Sequence, residues 1–125
     1  MIHEALYTFN TENKGWGVFT KDFIPEGTIV ELSPVIVMSA AEKKLLNKTA
    51  LYHYIFDWDN GKCCMAMGLI PVYNHDYQSN CEYYQDYEDN TIFIKTMRPI
   101  YPGEELTINY NGDWDNRETV WFEVK

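Results

Sequence analysis

The chain has 125 residues, the usual size of one domain, and 46 % of them are apolar, enough for one core and too many for wholesale disorder. Ten basic against nineteen acidic residues give a formal charge of −9. An acidic surface repels phosphate backbones, which argues against direct nucleic-acid binding, and attracts a basic, lysine- and arginine-rich partner.

The N-terminal stretch MIHEALYTFNTENK carries an early acid, Glu4, and no apolar run, so no secretory leader is expected. No run approaches the ~18 apolar residues of a membrane span, so none is expected either. Gly15-Trp16-Gly17 is a G-x-G, but Val18-Phe19 follow and read as β, whereas a dinucleotide fingerprint wants a third glycine opening a helix. The pair reads as a β-turn, or as backbone in close approach to a ligand. After a turn at Pro25-Glu26-Gly27, residues 28–32 read as one strand and 34–38 as another. Ser39-Ala40-Ala41-Glu42 has capping-box spacing, and Lys43, Lys44, Leu45 and Leu46 continue it into a short helix ending near Asn47.

Residues 51–58, rich in Tyr, Ile and Phe, read as a strand or an irregular segment. Asp59-Asn60-Gly61 is a hairpin signal leading into 62–66. An apolar strand from Gly68 turns abruptly polar at Asn74-His75-Asp76-Tyr77-Gln78-Ser79-Asn80, a poor place for so many polar groups unless they bond something. Residues 91–96 form a strand, and a turn at 101–105 precedes another, 106–110. The expected architecture is therefore one mainly-β domain, 1–125, with one short helix. Residues 111–125 form an aromatic tail containing Trp114, Trp121 and Phe122.

Several chemistries are excluded. Three cysteines with no C-x-x-C spacing argue against a disulfide framework and a zinc site, and His3 and His53 have no ligand spacing to His75, so no metal is expected. There is no G-x-S-x-G elbow and no Walker loop.

In combination, G-W-G-V-F at 15–19, Y-N-H-x-x-x-x-N at 73–80 and G-E-E-L-T-I-N-Y at 103–110 resemble the SET-domain protein lysine methyltransferases. Agreement extends through Ile24-Pro25-Glu26-Gly27-Thr28-Ile29-Val30-Glu31, Tyr54-Ile55-Phe56, Ala66-Met67-Gly68-Leu69 and Met97-Arg98-Pro99-Ile100, covering about residues 3–115. The chain looks most like the minimal stand-alone members of bacteria and large DNA viruses.

The resemblance implies a SET-domain fold of short curved sheets around a C-terminal pseudoknot, and transfer of methyl groups from S-adenosylmethionine to the ε-amine of a lysine in a basic protein, a histone tail or a histone-like substrate. A catalytically silent module that binds protein or cofactor without turnover is the alternative. By resemblance, Lys14, Gly15, Trp16 and Gly17 lie along the cofactor, and Asn74 and His75 hold its methionine and adenine ends. Tyr110 is catalytic, standing where sulfonium and amine meet. Tyr83 sits at the position that influences how many methyls are added. Tyr54, Tyr83 and Trp114 line the lysine channel. The family's zinc-binding cysteines after the domain are absent, so Trp121 or Phe122 in the tail is expected either to close the adenine pocket or to pack on the core. Departures are Asp76 for the usual serine or cysteine after N-H, Ser79 for a proline, and Asn111 for a glycine. The resemblance also implies that the chain is not secreted, working in a bacterial cytoplasm or, if viral, in a host nucleus. Small members also pair as homodimers.

Overall fold

The computed structural model describes residues 1–111. Two sheets carry the fold. The first has the order β1 (Leu6–Thr11), β2 (Gly15–Thr20), β9 (Glu105–Ile108), β6 (Asn74–His75). The second has the order β4 (Phe56–Asp57), β5 (Cys63–Ala66), β3 (Ile29–Met38), β8 (Thr91–Thr96), β7 (Cys81–Asp86). The mainly-β architecture with one helix, α1 (Ala40–Leu46), is as the sequence implies. Among the described residues no helix is long and apolar enough to cross a membrane.

Local chemistry explains most elements. Ser39 Oγ accepts from the Glu42 N–H at 3.1 Å and the Glu42 carboxylate accepts from the Ser39 N–H at 3.0 Å, the reciprocal capping box that starts α1. Asn60 (φ 55°) and Gly61 (φ 75°) both take the left-handed conformation and turn the chain between β4 and β5, as Asn-Gly pairs do. In β8, Ile92, Ile94 and Thr96 are buried while their neighbours are half-exposed, the alternation of a strand with one face on the core. Ile92 and Ile94 join Val18, Ile24, Ile70, Tyr73, Ile100, Leu106 and Ile108 in that core.

Three expectations need correction. Residues 29–38 form one strand, not two. Pro34, lacking an N–H, sits where β3 leaves β8 for β5, so no ladder bond is lost there. The apolar segment before Asn74 is a 3₁₀ turn, Ile70–Val72, because Pro71 favours the first turn of a helix. Of the two readings of residues 51–58, strand or irregular segment, the irregular one holds for most of the stretch: it opens with another 3₁₀ turn, Ala50–His53, capped by the Thr49 hydroxyl, and only Phe56–Asp57 is strand. Strand β9 stops at Ile108, leaving Tyr110 in the following turn. Strands β1 and β7 were not foreseen; both lie in segments dense with Asn, Asp, Glu and Thr.

What positions the site is the meeting of the two sheets. Strand β9 runs antiparallel to β2 (Val18 opposite Leu106) and parallel to β6 (Asn74 opposite Thr107, His75 opposite Ile108). Buried Asn80 then clamps the 76–80 loop onto β9. Its Nδ2 donates to the Glu105 carbonyl at 2.7 Å and its Oδ1 accepts from the Thr107 N–H at 2.8 Å.

Candidate active site

The G-x-G hairpin and the Asn-His pair meet. Gly15 takes φ +71° at the start of β2, and Thr11 bridges the turn by accepting from the Lys14 N–H at 3.0 Å and donating to the Gly15 carbonyl at 2.9 Å. Asn74 Nδ2 donates to the Trp16 carbonyl at 3.1 Å and to Glu105 Oε2 at 2.8 Å. Lys14 Nζ lies 3.9 Å from Glu105 Oε1. A Cβ at Gly17 would meet the Glu105 carboxylate and lie 3.0 Å from Asn74 Nδ2, so glycine there leaves room for both side chains. The Trp16 side chain is exposed.

His75 connects this cluster to Tyr110. Its Nδ1 accepts from the Tyr110 N–H at 2.9 Å, which puts the neutral ring's proton on Nε2. The rings of His75 and Tyr110 stand 5.1 Å apart, and Tyr77 packs edge-on against His75 at 4.6 Å. Burial holds the His75 imidazole below its ordinary value, with Asp76 pulling the other way. The Tyr110 hydroxyl donates to the Tyr73 carbonyl at 2.7 Å. Burial pushes its pKa up to about 12, so the phenol keeps its proton at neutral pH.

Beyond Tyr110 lies a cavity of about 620 Å³ that brings together Tyr54, Tyr83 and Tyr110. Tyr83 donates to the Tyr110 carbonyl at 3.4 Å and packs edge-on against Phe56 at 5.1 Å. Lys43 of α1 pairs with Asp57 at 2.8 Å on the cavity rim. Of the residues expected at the site, Lys14, Gly15, Trp16, Gly17, Asn74 and His75 thus form one cluster and Tyr54, Tyr83 and Tyr110 another, joined at His75 and Tyr110. Trp114 and Trp121, with most of the aromatic tail, lie outside the described residues.

Sequence reasoning missed Glu105, Tyr52, His53 and Phe56, which line the cavity or the polar cluster. The run Tyr52-His53-Tyr54-Ile55-Phe56 carries the signal, an aromatic density that exceeds what one strand needs for packing. Glu105 was hidden inside its motif, where a turn glutamate reads as solvated.

Residues 15–111 match the SET domain family. The chain is 36 % identical over 124 residues to the histone-lysine N-methyltransferase, H3 lysine-37 specific, of Schizosaccharomyces pombe, spanning 98 % of this chain and 80 % of that one. It is 32 % identical over 120 residues to the histone-lysine N-methyltransferase ash1 of Drosophila melanogaster, of which it spans 5 %. A Plasmodium falciparum protein described as a histone methyltransferase has a crystal structure that superposes with a TM-score of 0.66 at 21 % identity, over 90 % of this chain and 98 % of that one, which is a likeness of fold. The chain belongs to the SET-domain family.

Proposed function

We propose that this protein transfers methyl groups from S-adenosylmethionine to the ε-amine of a lysine in a basic protein. The activity class follows from the family and from the fission yeast relative, whose name makes it a histone-lysine N-methyltransferase. The single observation that carries the site assignment is Tyr110. Its hydroxyl is fixed at 2.7 Å on the Tyr73 carbonyl, its N–H is fixed on His75, and its ring lines the aromatic cavity.

The polar cluster suits the cofactor's zwitterionic end. Lys14 is a cation, Glu105 an anion and Asn74 an amide, all within reach of a backbone that has no Cβ at Gly17. These groups complement a carboxylate and an ammonium, and His75 lies beside them. Bound there, S-adenosylmethionine supplies an electrophilic methyl for direct displacement. The protein contributes position, which supplies much of the acceleration in such reactions.

An acceptor lysine must arrive neutral, although its ordinary pKa is ~10.4. The rings of Tyr54, Tyr83 and Tyr110 give it an aromatic passage that strips water from the amine and so disfavours the charged form, and their π faces attract the ammonium on entry. The protonated Tyr110 hydroxyl then orients the amine. A charge of −9 suits a histone tail or another basic segment as substrate and does not suit nucleic acid. The parallel pairing of β6 with β9 and the Asn80 clamp support a pseudoknot at this junction. Calorimetry with S-adenosylmethionine, followed by mass spectrometry of a histone H3 tail peptide incubated with both, tests the reading. Binding and a gain in peptide mass by whole methyl groups are expected; no binding at millimolar cofactor would refute it.

A further inference from the structure

Tyr110 is tied, through one intervening residue, to a carboxylate buried in the second sheet. A bulge between Ile29 and Glu31 in β3 lets consecutive residues Val30 and Glu31 both turn inwards, and both are fully buried. The Glu31 carboxylate is an expensive group to bury unless hydrogen-bond donors replace its water. Here it finds three. Ser33 Oγ donates to Oε2 at 2.8 Å, the Leu69 N–H donates to Oε2 at 2.8 Å, and the Tyr73 hydroxyl donates to Oε1 at 3.2 Å.

Two of those donors flank the 3₁₀ turn Ile70–Val72. Leu69 precedes it and Tyr73 follows it, so one carboxylate fixes where the turn begins and where it ends. Gly68 completes the arrangement. It takes φ +66°, and a Cβ there would collide with the Glu31 carboxylate and lie 2.6 Å from Ser33 Oγ. The chain therefore descends directly onto the acid. Tyr73 is held at the far end by its own side chain, 1 % exposed, and its carbonyl is the acceptor for the Tyr110 hydroxyl at 2.7 Å.

Resting on the reading of Tyr110 given above, the geometry points to Glu31 as a positioning residue for methyl transfer, acting through Tyr73 to aim the carbonyl that holds the Tyr110 hydroxyl. An apolar side chain at position 31 would fill the same space without the cost of burying charge. It would not dictate the direction of the Tyr73 carbonyl. Asn74 and His75 follow immediately, but Asn74 is held by Trp16 and Glu105 and His75 is paired with Ile108 in the first sheet, so the effect of Glu31 should fall on turnover rather than on cofactor binding.

The test is Tyr73→Phe, which deletes only the hydroxyl that reaches Glu31, alongside Glu31→Gln and the control Ser33→Ala. Turnover per folded molecule, the KM for a lysine peptide and the Kd for S-adenosylmethionine are measured for each. A misplacement of about 1 Å can cost about 10²-fold in rate, and the loss of one of two anchors on Tyr73 should cost roughly 10-fold in kcat, with KM and Kd changed by less than about 2-fold. Ser33→Ala loses a donor to the carboxylate without touching Tyr73, so it should lower stability and leave kcat alone. In a Tyr110→Phe background, Tyr73→Phe should have almost no further effect, because the hydroxyl it positions is gone.

Wild-type kcat in Tyr73→Phe overturns the inference. So does an equal kcat loss in Ser33→Ala, or a loss that persists undiminished in the Tyr110→Phe background. Should Glu31→Gln fail to fold, Tyr73→Phe decides alone. If Tyr110→Phe itself turns over at the wild-type rate, the assignment of Tyr110 fails, and this inference fails with it. If Tyr110→Phe is inactive while Tyr73→Phe is unimpaired, only the role of Glu31 is lost.

Discussion

Gly17→Ala is a small change with a calculable consequence. The new methyl would occupy the position of the Glu105 carboxylate and press within 3.0 Å of Asn74 Nδ2. The carboxylate is the end of a flexible chain and moves aside, but moving it breaks the 2.8 Å hydrogen bond from Asn74. A hydrogen bond to a charged group contributes about 2 kcal/mol net. Replacing glycine by alanine returns about 0.5 kcal/mol by restricting the unfolded chain. The net loss is then about 1.5 kcal/mol, a fall in Tm of roughly 6 °C for a domain of this size. Asn74, released from Glu105, no longer presents its amide as before, and cofactor affinity should fall about 10-fold, equivalent to 1.4 kcal/mol. Scanning calorimetry gives the first number and titration calorimetry with S-adenosylmethionine the second. The decisive arm is a double-mutant cycle. In a Glu105→Ala background the space is open, and Gly17→Ala should cost almost nothing in stability. An undiminished penalty there would show that steric conflict with Glu105 is not the cause.

Three further outcomes are expected. Gly68→Ala combines a left-handed backbone, worth about 1–2 kcal/mol against a side chain, with a collision against a buried carboxylate that has nowhere to go, so urea denaturation should show a loss of about 3 kcal/mol or more. His75 has a folded pKa below its ordinary 6.5, so between those two values the unfolded chain binds more protons, and stability rises with pH through that window and is flat above it. Acidification from about pH 7.5 to about pH 5 should destabilise the protein, and His75→Gln should remove part of that slope; an identical slope in the variant would contradict the assignment. Tyr83→Phe removes a hydroxyl from the cavity wall while Phe56 keeps the ring in place, so activity should survive with products shifted towards higher methylation by mass spectrometry.

The parts of the fold legible in the sequence were those set by local chemistry. The capping box of α1, the Asn60-Gly61 turn and the alternation of β8 each depend on residues within a few positions of one another. The parts that were not legible depend on distant partners. Nothing near Pro34 says that two neighbouring strands share β3 on either side of it. Likewise β1 carries polar residues because much of it is exposed, leaving no apolar alternation to read. At the site, the ordered motifs identified the Gly15–Gly17 and Asn74-His75 segments and Tyr110 by resemblance, and the structure brings them together. Glu31 read as one residue of an ordinary strand, because its three donors lie 2, 38 and 42 residues away.

The proposed catalytic role of Tyr110 stands or falls on one comparison. Wild-type protein and Tyr110→Phe, each shown to be folded and to bind S-adenosylmethionine with similar Kd, are compared for transfer of a labelled methyl group to a histone H3 tail peptide. Phenylalanine keeps the ring against His75 and gives up only the hydroxyl. Removing one positioned polar group of this kind costs on the order of 10²–10³ in rate. Lysine methylation by the wild type and a loss of that size in the variant are expected. Transfer by Tyr110→Phe at close to the wild-type rate would contradict that role.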